Sequence, residues 1–171
     1  MRRAAVSMTL FLFLAVPSAH SREIDLTLVA VGDIGLNRTR VDVHPDGMDL
    51  WGKKVPFEKM TRRIDDFIDG DINFCNLETV VTDRNDLPTA EKKYNFRTHP
   101  NAVKLLVKVG FNLMSLANNH VRDYGAEGID ETLKWMRKIG RKGRMHFAGA
   151  GKDIDEAATP AVFEIKGVRI A

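Results

Sequence analysis

Residues 115–125, SLANNHVRDYG, decide how the chain is read. The apolar run before them, residues 111–117, has the length and composition of a buried strand. It stops at Asn118 and Asn119, followed by His120 and then Asp123. Ile129, Leu133, Met136 and Ile139 recur at helical spacing up to Gly140. Amide, imidazole and carboxylate groups are therefore gathered where a strand ends and a helix is about to begin. Open α/β sheets hold their ligands and reactive groups at the carboxyl ends of strands.

The same pattern repeats on either side. Residues 24–31 (IDLTLVAV) read as a buried strand that runs into Gly32-Asp33. Residues 39–55, with Pro45, Gly47 and Gly52, read as an irregular loop. Pro56 opens a predicted helix that carries Phe57, Met60, Ile64, Phe67 and Ile68 and ends at Gly70. Residues 72–77 (INFCNL) form a second strand leading straight into Glu78. Residues 79–93 read as a polar loop and residues 94–97 as a short strand. Pro100 starts a helix with Ala102, Leu105, Leu106 and Val109 on one face and Gly110 as its stop. Residues 145–148 are a fourth strand, and residues 160–165 and 168–171 form a hairpin. Strands alternating with helices through short connections predict an α/β layered fold with mainly parallel central strands.

A chain of 171 residues suits one modest domain with a real core. Hydrophobic residues make up 44% and charged residues 29%, which is the balance of a soluble globular protein. The formal charge is +3, and two of those units come from Arg2 and Arg3. The basic run RKIGRKGR, residues 137–144, suits a solvated helix end, so no nucleic-acid partner is expected. Residues 1–21 have the three-part pattern of a secretory signal peptide: basic start, apolar core, then Pro17 and small residues. Cleavage after Ser21 leaves residues 22–171 as the mature chain, exported to the periplasm, cell envelope or medium; an uncleaved membrane anchor is the alternative. Cys75, the single cysteine, cannot form an internal disulfide, and its apolar surroundings predict a buried, inert thiol. Residues 168–171 read as a strand cut short, so the chain is expected to be the N-terminal portion of a longer domain.

Three strands end in groups suited to a divalent cation or a phosphate. The first offers Asp33, the second Asn76 and Glu78, the third Asn118, Asn119 and His120 with Asp123 close by. Neighbouring parallel strands would bring these ends into one crevice. Their oxygen and nitrogen donors suit hard and borderline cations, and there is no thiolate cluster for a structural zinc site. Each residue also has a plain structural reading. Asp33 could cap a turn, Glu78 could be an ordinary loop charge, the asparagines tolerate left-handed backbone, and His120 could be a hydrogen-bonded structural histidine. Gly149 and Gly151 lack the full dinucleotide fingerprint, and no Walker sequence or Gly-x-Ser-x-Gly elbow is present.

VAVGDIGLNR, NFCNLETVVTD, GFNLMSLANNHVRDYGAEGIDETLKWM and HFAGAG, in that order, resemble the CapA family of bacterial capsule and poly-gamma-glutamate biosynthesis proteins. The resemblance implies a layered, calcineurin-like metallophosphoesterase-type fold, of which this chain would be the N-terminal part. It implies divalent metal ions, manganese, zinc or iron, with Asp33 and Asn119 as ligands. Glu78, together with Asn76, would take the place of the bridging acidic residue. His120 would donate a proton to the leaving group, and Asp123 would orient it by accepting its other ring N–H. Two departures stand out. Asp33 is not part of an Asp-x-His pair, and the later Gly-His-x-Pro-His type histidines have no counterpart up to Ala171.

The resulting expectation is an exported hydrolase acting on capsule polymer or cell-envelope material, in which metal-activated water attacks a phosphoester or amide. The alternatives are a non-enzymatic, polymer-holding partner of membrane synthesis components, and an inactive fragment.

Overall fold

The three polar strand ends belong to a sheet of four parallel strands. The computed structural model describes residues 23–36, 42–143 and 145–171, so the expected signal segment lies outside the described residues. In chain order the elements are β1 (Leu28–Ile34), β2 (Gly47–Leu50), β3 (Lys53–Pro56), α1 (Phe57–Thr61), β4 (Ile72–Leu77), β5 (Val80–Val81), β6 (Arg97–Thr98) and α2 (Pro100–Val109). They continue with β7 (Leu113–Ser115), α3 (Gly125–Ile139), β8 (His146–Ala148), α4 (Ile154–Ala158), β9 (Phe163–Ile165) and β10 (Val168–Ile170). The main sheet has the order β1-β4-β7-β8, and each neighbouring pair is parallel. The expected α/β class with parallel central strands is borne out.

Alternation along the strands sends Cys75, Leu77 and Met114 to one face of this sheet. There they meet Val103 and Leu106 of α2 and Leu133 and Met136 of α3. Each such side chain, once fully buried, contributes about 1.5–3 kcal/mol. The helices start and stop where their sequences dictate. His99 caps α2 by accepting the Asn101 N–H, Pro100 takes the first helical position, and Gly110 ends it at φ 128°. Gly128 lets α3 approach β5. A Cβ there would lie 2.7 Å from the Tyr124 Cβ and 3.4 Å from a Val80 methyl. Thr132 Oγ1 then accepts the Val81 N–H at 3.0 Å.

A bulge in β1 sets the phase of its last residues. Ala30 pairs with Phe74 and Asp33 with Asn76, so Val31 and Gly32 together stand opposite Cys75 alone. The extra residue lets Ile34 join Val29 and Val31 against the core while Asp33 points to the other face. Without the bulge, strict alternation would turn the Asp33 carboxylate inward.

Three local expectations are corrected. The helix beginning at Phe57 ends at Thr61, and only a 3-10 turn, Asp65–Phe67, follows. Asp65 and Asp66 would place negative charge at the end of a longer helix, where the dipole disfavours it, and Phe67 is 71% exposed. The expected loop over residues 39–55 contains the antiparallel pair β2–β3. Trp51 and Gly52 form its turn with φ of 53° and 76°, and the Gly52 N–H donates to Asp49. Finally, the strand expected over residues 94–97 is the two-residue β6, paired in parallel with β5.

The second face of the sheet carries Leu28, Phe74 and Leu113. Phe163 of the β9–β10 hairpin stacks on His146 at 4.5 Å, and the hairpin encloses an apolar cleft of about 310 Å³ against Phe74, Leu113 and Ser115. Leu28 is 61% exposed.

Candidate functional site

Register brings the strand ends together. Asp33, Asn76, Ser115 and Ala148 lie side by side across β1, β4, β7 and β8. Asn76 Nδ2 donates to Asp33 Oδ1 at 2.7 Å. Asn118 Nδ2 donates to Asn76 Oδ1 at 3.1 Å and to the Leu77 carbonyl at 2.9 Å. Asn118 Oδ1 in turn accepts the His120 N–H at 3.0 Å. One hydrogen-bonded chain therefore links β1, β4 and the loop after β7.

His120 is held from three sides. Its Nδ1 lies 2.7 Å from Asp123 Oδ2, and because a carboxylate only accepts, Nδ1 carries the ring hydrogen. Phe96 stacks on the imidazole with centroids 4.0 Å apart and 21° between the planes. Nε2 faces Glu78, whose Oε1 is 3.9 Å away, beyond direct hydrogen-bond range.

Asp123 is fully buried at 0% exposure. Its Oδ2 also accepts the Phe96 N–H, and its Oδ1 pairs with the Lys92 ammonium. Lys92 Nζ donates as well to the Asn119 carbonyl at 2.8 Å. The Ala90 N–H donates to the Asp123 carbonyl at 2.8 Å, so the segment running from Ala90 to Phe96 is fastened to the loop by backbone and side chain alike. Asn95, itself buried, holds the turn by donating to the carbonyls of Ala90 and Lys92.

Asp33 with Asn76, and His120 with Asp123, are thus brought together, and Glu78 lies on the open side of His120. Asn119 is exposed and contributes its carbonyl to the arrangement. Sequence reasoning noted Asn118 but gave it no role, though its carboxamide is the connector. It missed Lys92 and Phe96 altogether, because nothing in their spacing points to a histidine far downstream. Cys75, at 0% exposure, lies on the core face, and burial pushes its thiol up to about 12.

The donors suit a hard cation: the carboxylates of Asp33 and Glu78 and the amide oxygens of Asn76 and Asn119. Among the described residues no three His, Cys, Asp or Glu side chains are grouped so that they could hold a metal ion. By type alone, carboxylate and amide oxygens are what ions of the magnesium or manganese kind take, one or two carboxylates with water and substrate oxygens completing the shell. A separate cleft of about 470 Å³ is lined by Val121, Arg122, Ile129, Asp130, Lys152 and Ile154 among others.

Residues 27–171 match the family described as Bacterial capsule synthesis protein PGA_cap. The chain is 28% identical over 157 residues to "Capsule biosynthesis protein CapA" of Bacillus anthracis, covering 91% of this chain and 36% of that protein. It is 30% identical over 110 residues to "PGA biosynthesis protein CapA" of Bacillus subtilis (strain 168), covering 64% and 27%. It is 30% identical over 95 residues to "Probable polyglutamine synthesis accessory protein" of Mycobacterium tuberculosis (strain CDC 1551 / Oshkosh), covering 56% and 24%. The chain therefore spans about a third or less of the length of these relatives.

Proposed function

The chain belongs to the bacterial capsule synthesis protein family, and from that membership we propose that it is an exported, metal-dependent hydrolase acting on capsule polymer or related cell-envelope material. The observation that carries this reading is the hydrogen-bonded chain from Asp33 through Asn76 and Asn118 to His120. It ties a set of hard-cation donors to a histidine whose tautomer is fixed.

In this reading Asp33, Asn76 and Asn119 hold a divalent cation, manganese being the natural first probe, and Glu78 supplies a further oxygen. When bound, such an ion would stabilise developing negative charge and lower the pKa of a nearby water. Asp123 keeps the ring hydrogen of His120 on Nδ1 and so aims Nε2 at the crevice. With a second proton taken up on Nε2, the doubly protonated His120 ring delivers that proton to the leaving group and returns to the Nδ1–H form, a step worth about 10²–10⁴ in rate for a well-placed acid. Phe96 covers one ring face and keeps water from it. The half-open second face, with Leu28 exposed beside Phe74, supports a layered metallophosphoesterase-type fold in which further chain covers that face.

Calorimetric titration of the full chain with manganese chloride tests the reading. Binding that Asp33→Ala weakens at least tenfold is expected; no binding by the full chain would remove the hydrolytic proposal.

A second reading is a non-catalytic component of a polymer synthesis and export complex, with the crevice holding an anionic chain. Arg122 and Lys152, which line the cleft of about 470 Å³ together with Asp130 and Asp153, would supply the cations such a chain needs. Stable association with membrane synthesis components, together with any hydrolysis unaffected by Asp33→Ala, would select it.

A further inference from the structure

We infer that Lys92 is a positioning residue of the candidate site: its single ammonium group sets the relation between the Asn119 peptide and the His120 ring. This rests on the hydrolytic reading above and goes one step further into the same site.

Three contacts carry the inference. Lys92 Nζ donates to the Asn119 carbonyl at 2.8 Å, and so fixes the peptide that joins Asn119 to His120. The same nitrogen pairs with Oδ1 of the fully buried Asp123, whose other oxygen holds His120 Nδ1. Phe96 completes the brace, donating its N–H to that second oxygen and stacking on the imidazole. The ammonium therefore bridges the residue assigned to hold the cation and the residue that orients the acid. Its own side chain is 33% exposed, so it closes this arrangement from the outer side without being sealed in the core.

The bridge needs a donor that is both charged and able to bond two acceptors at once. An ammonium has three hydrogens and no acceptor, which suits a carboxylate on one side and a carbonyl on the other. Methionine matches the stem and lacks both properties. Arginine keeps the charge and can also bond two acceptors. Glutamine keeps a donor for the carbonyl and loses the charge.

The test uses the full chain with two measurements: hydrolysis of bis(p-nitrophenyl) phosphate with manganese chloride, and the proton NMR signals of the His120 ring. In the wild type the stacked Phe96 ring is expected to shift those signals upfield. Lys92→Met is expected to lower kcat about 10–100-fold, the range for losing a residue that orients a ligand, with KM unchanged. It is also expected to reduce the upfield shift, and Lys92→Arg recovers most of both losses. If the methionine variant does not fold, Lys92→Gln is read in the same two ways. Unchanged His120 ring signals in a folded Lys92→Met or Lys92→Gln chain would overturn the inference, whatever the rate. A wild type with no hydrolysis would remove the hydrolytic reading alone, because the ring signals still decide the role of Lys92.

Discussion

Asn76 Nδ2 donates to Asp33 Oδ1 at 2.7 Å across adjacent parallel strands, in a register that the β1 bulge makes possible. The pair lies at the exposed rim of the sheet and contributes little to the core. Asp33→Ala should therefore change the unfolding free energy by no more than about 0.5 kcal/mol, as exposed substitutions do. Urea denaturation checks this; a drop of several kcal/mol would make Asp33 a structural residue and not a ligand.

Asp123 stands in the opposite position. It is buried, and three donors converge on it: Lys92, the His120 ring and the Phe96 N–H. Asp123→Ala removes the acceptor that the His120 ring, the Phe96 N–H and Lys92 share, and is expected to cost about 1–3 kcal/mol. A shift in the urea midpoint corresponding to less than about 1 kcal/mol would mean that the segment from Ala90 to Phe96 is not fastened through this carboxylate.

Cys75 offers a check on the packing of the core face. Its thiol is pushed up to about 12 by burial, so almost no thiolate is present at neutral pH. The native chain should not react with 5,5′-dithiobis(2-nitrobenzoate) over minutes and should release one equivalent of chromophore in guanidinium chloride. Prompt reaction of the native chain would contradict the buried placement.

His99 links stability to pH. Burial, chiefly, lowers its pKa below the ordinary histidine value; Asp83 opposes the shift and Lys104 adds to it. The neutral ring also serves as the cap, because Nδ1 accepts the Asn101 N–H. A base held more weakly protonated in the folded state stabilises the fold above its unfolded pKa, and that stability is lost as pH falls below about 6.5. Melting temperature should therefore fall between pH 7.5 and 5.5, and His99→Asn, which keeps a cap without titrating, should flatten that dependence. An unchanged pH profile in His99→Asn would place the acid sensitivity elsewhere.

Much of the framework could be read from residue order. INFCNL and the run before Asn118 announce buried strands because apolar residues fill both, and Pro100, Gly110 and Gly140 punctuate the helices by their backbone limits. The convergence of Asp33, Asn76 and His120 followed from parallel neighbours with polar ends. What could not be read depends on partners far along the chain. The β1 bulge is a matter of register against β4, which no single strand specifies. The β2–β3 hairpin hides because its turn uses Trp51, a bulky residue at positive φ, where Asn or Gly would signal a turn. The role of Lys92 exists only after the segment from Ala90 to Phe96 folds back over the His120 loop.

The most direct test of metal-dependent hydrolysis at these strand ends is the rate of bis(p-nitrophenyl) phosphate hydrolysis by the full chain, with and without manganese chloride, beside His120→Ala. Manganese-stimulated hydrolysis that falls about 10²–10⁴-fold in His120→Ala, with manganese affinity retained, is the predicted result. Stimulated hydrolysis equal in wild type and His120→Ala would contradict the assignment of His120 as the acid, and no stimulated hydrolysis in either would contradict the site itself.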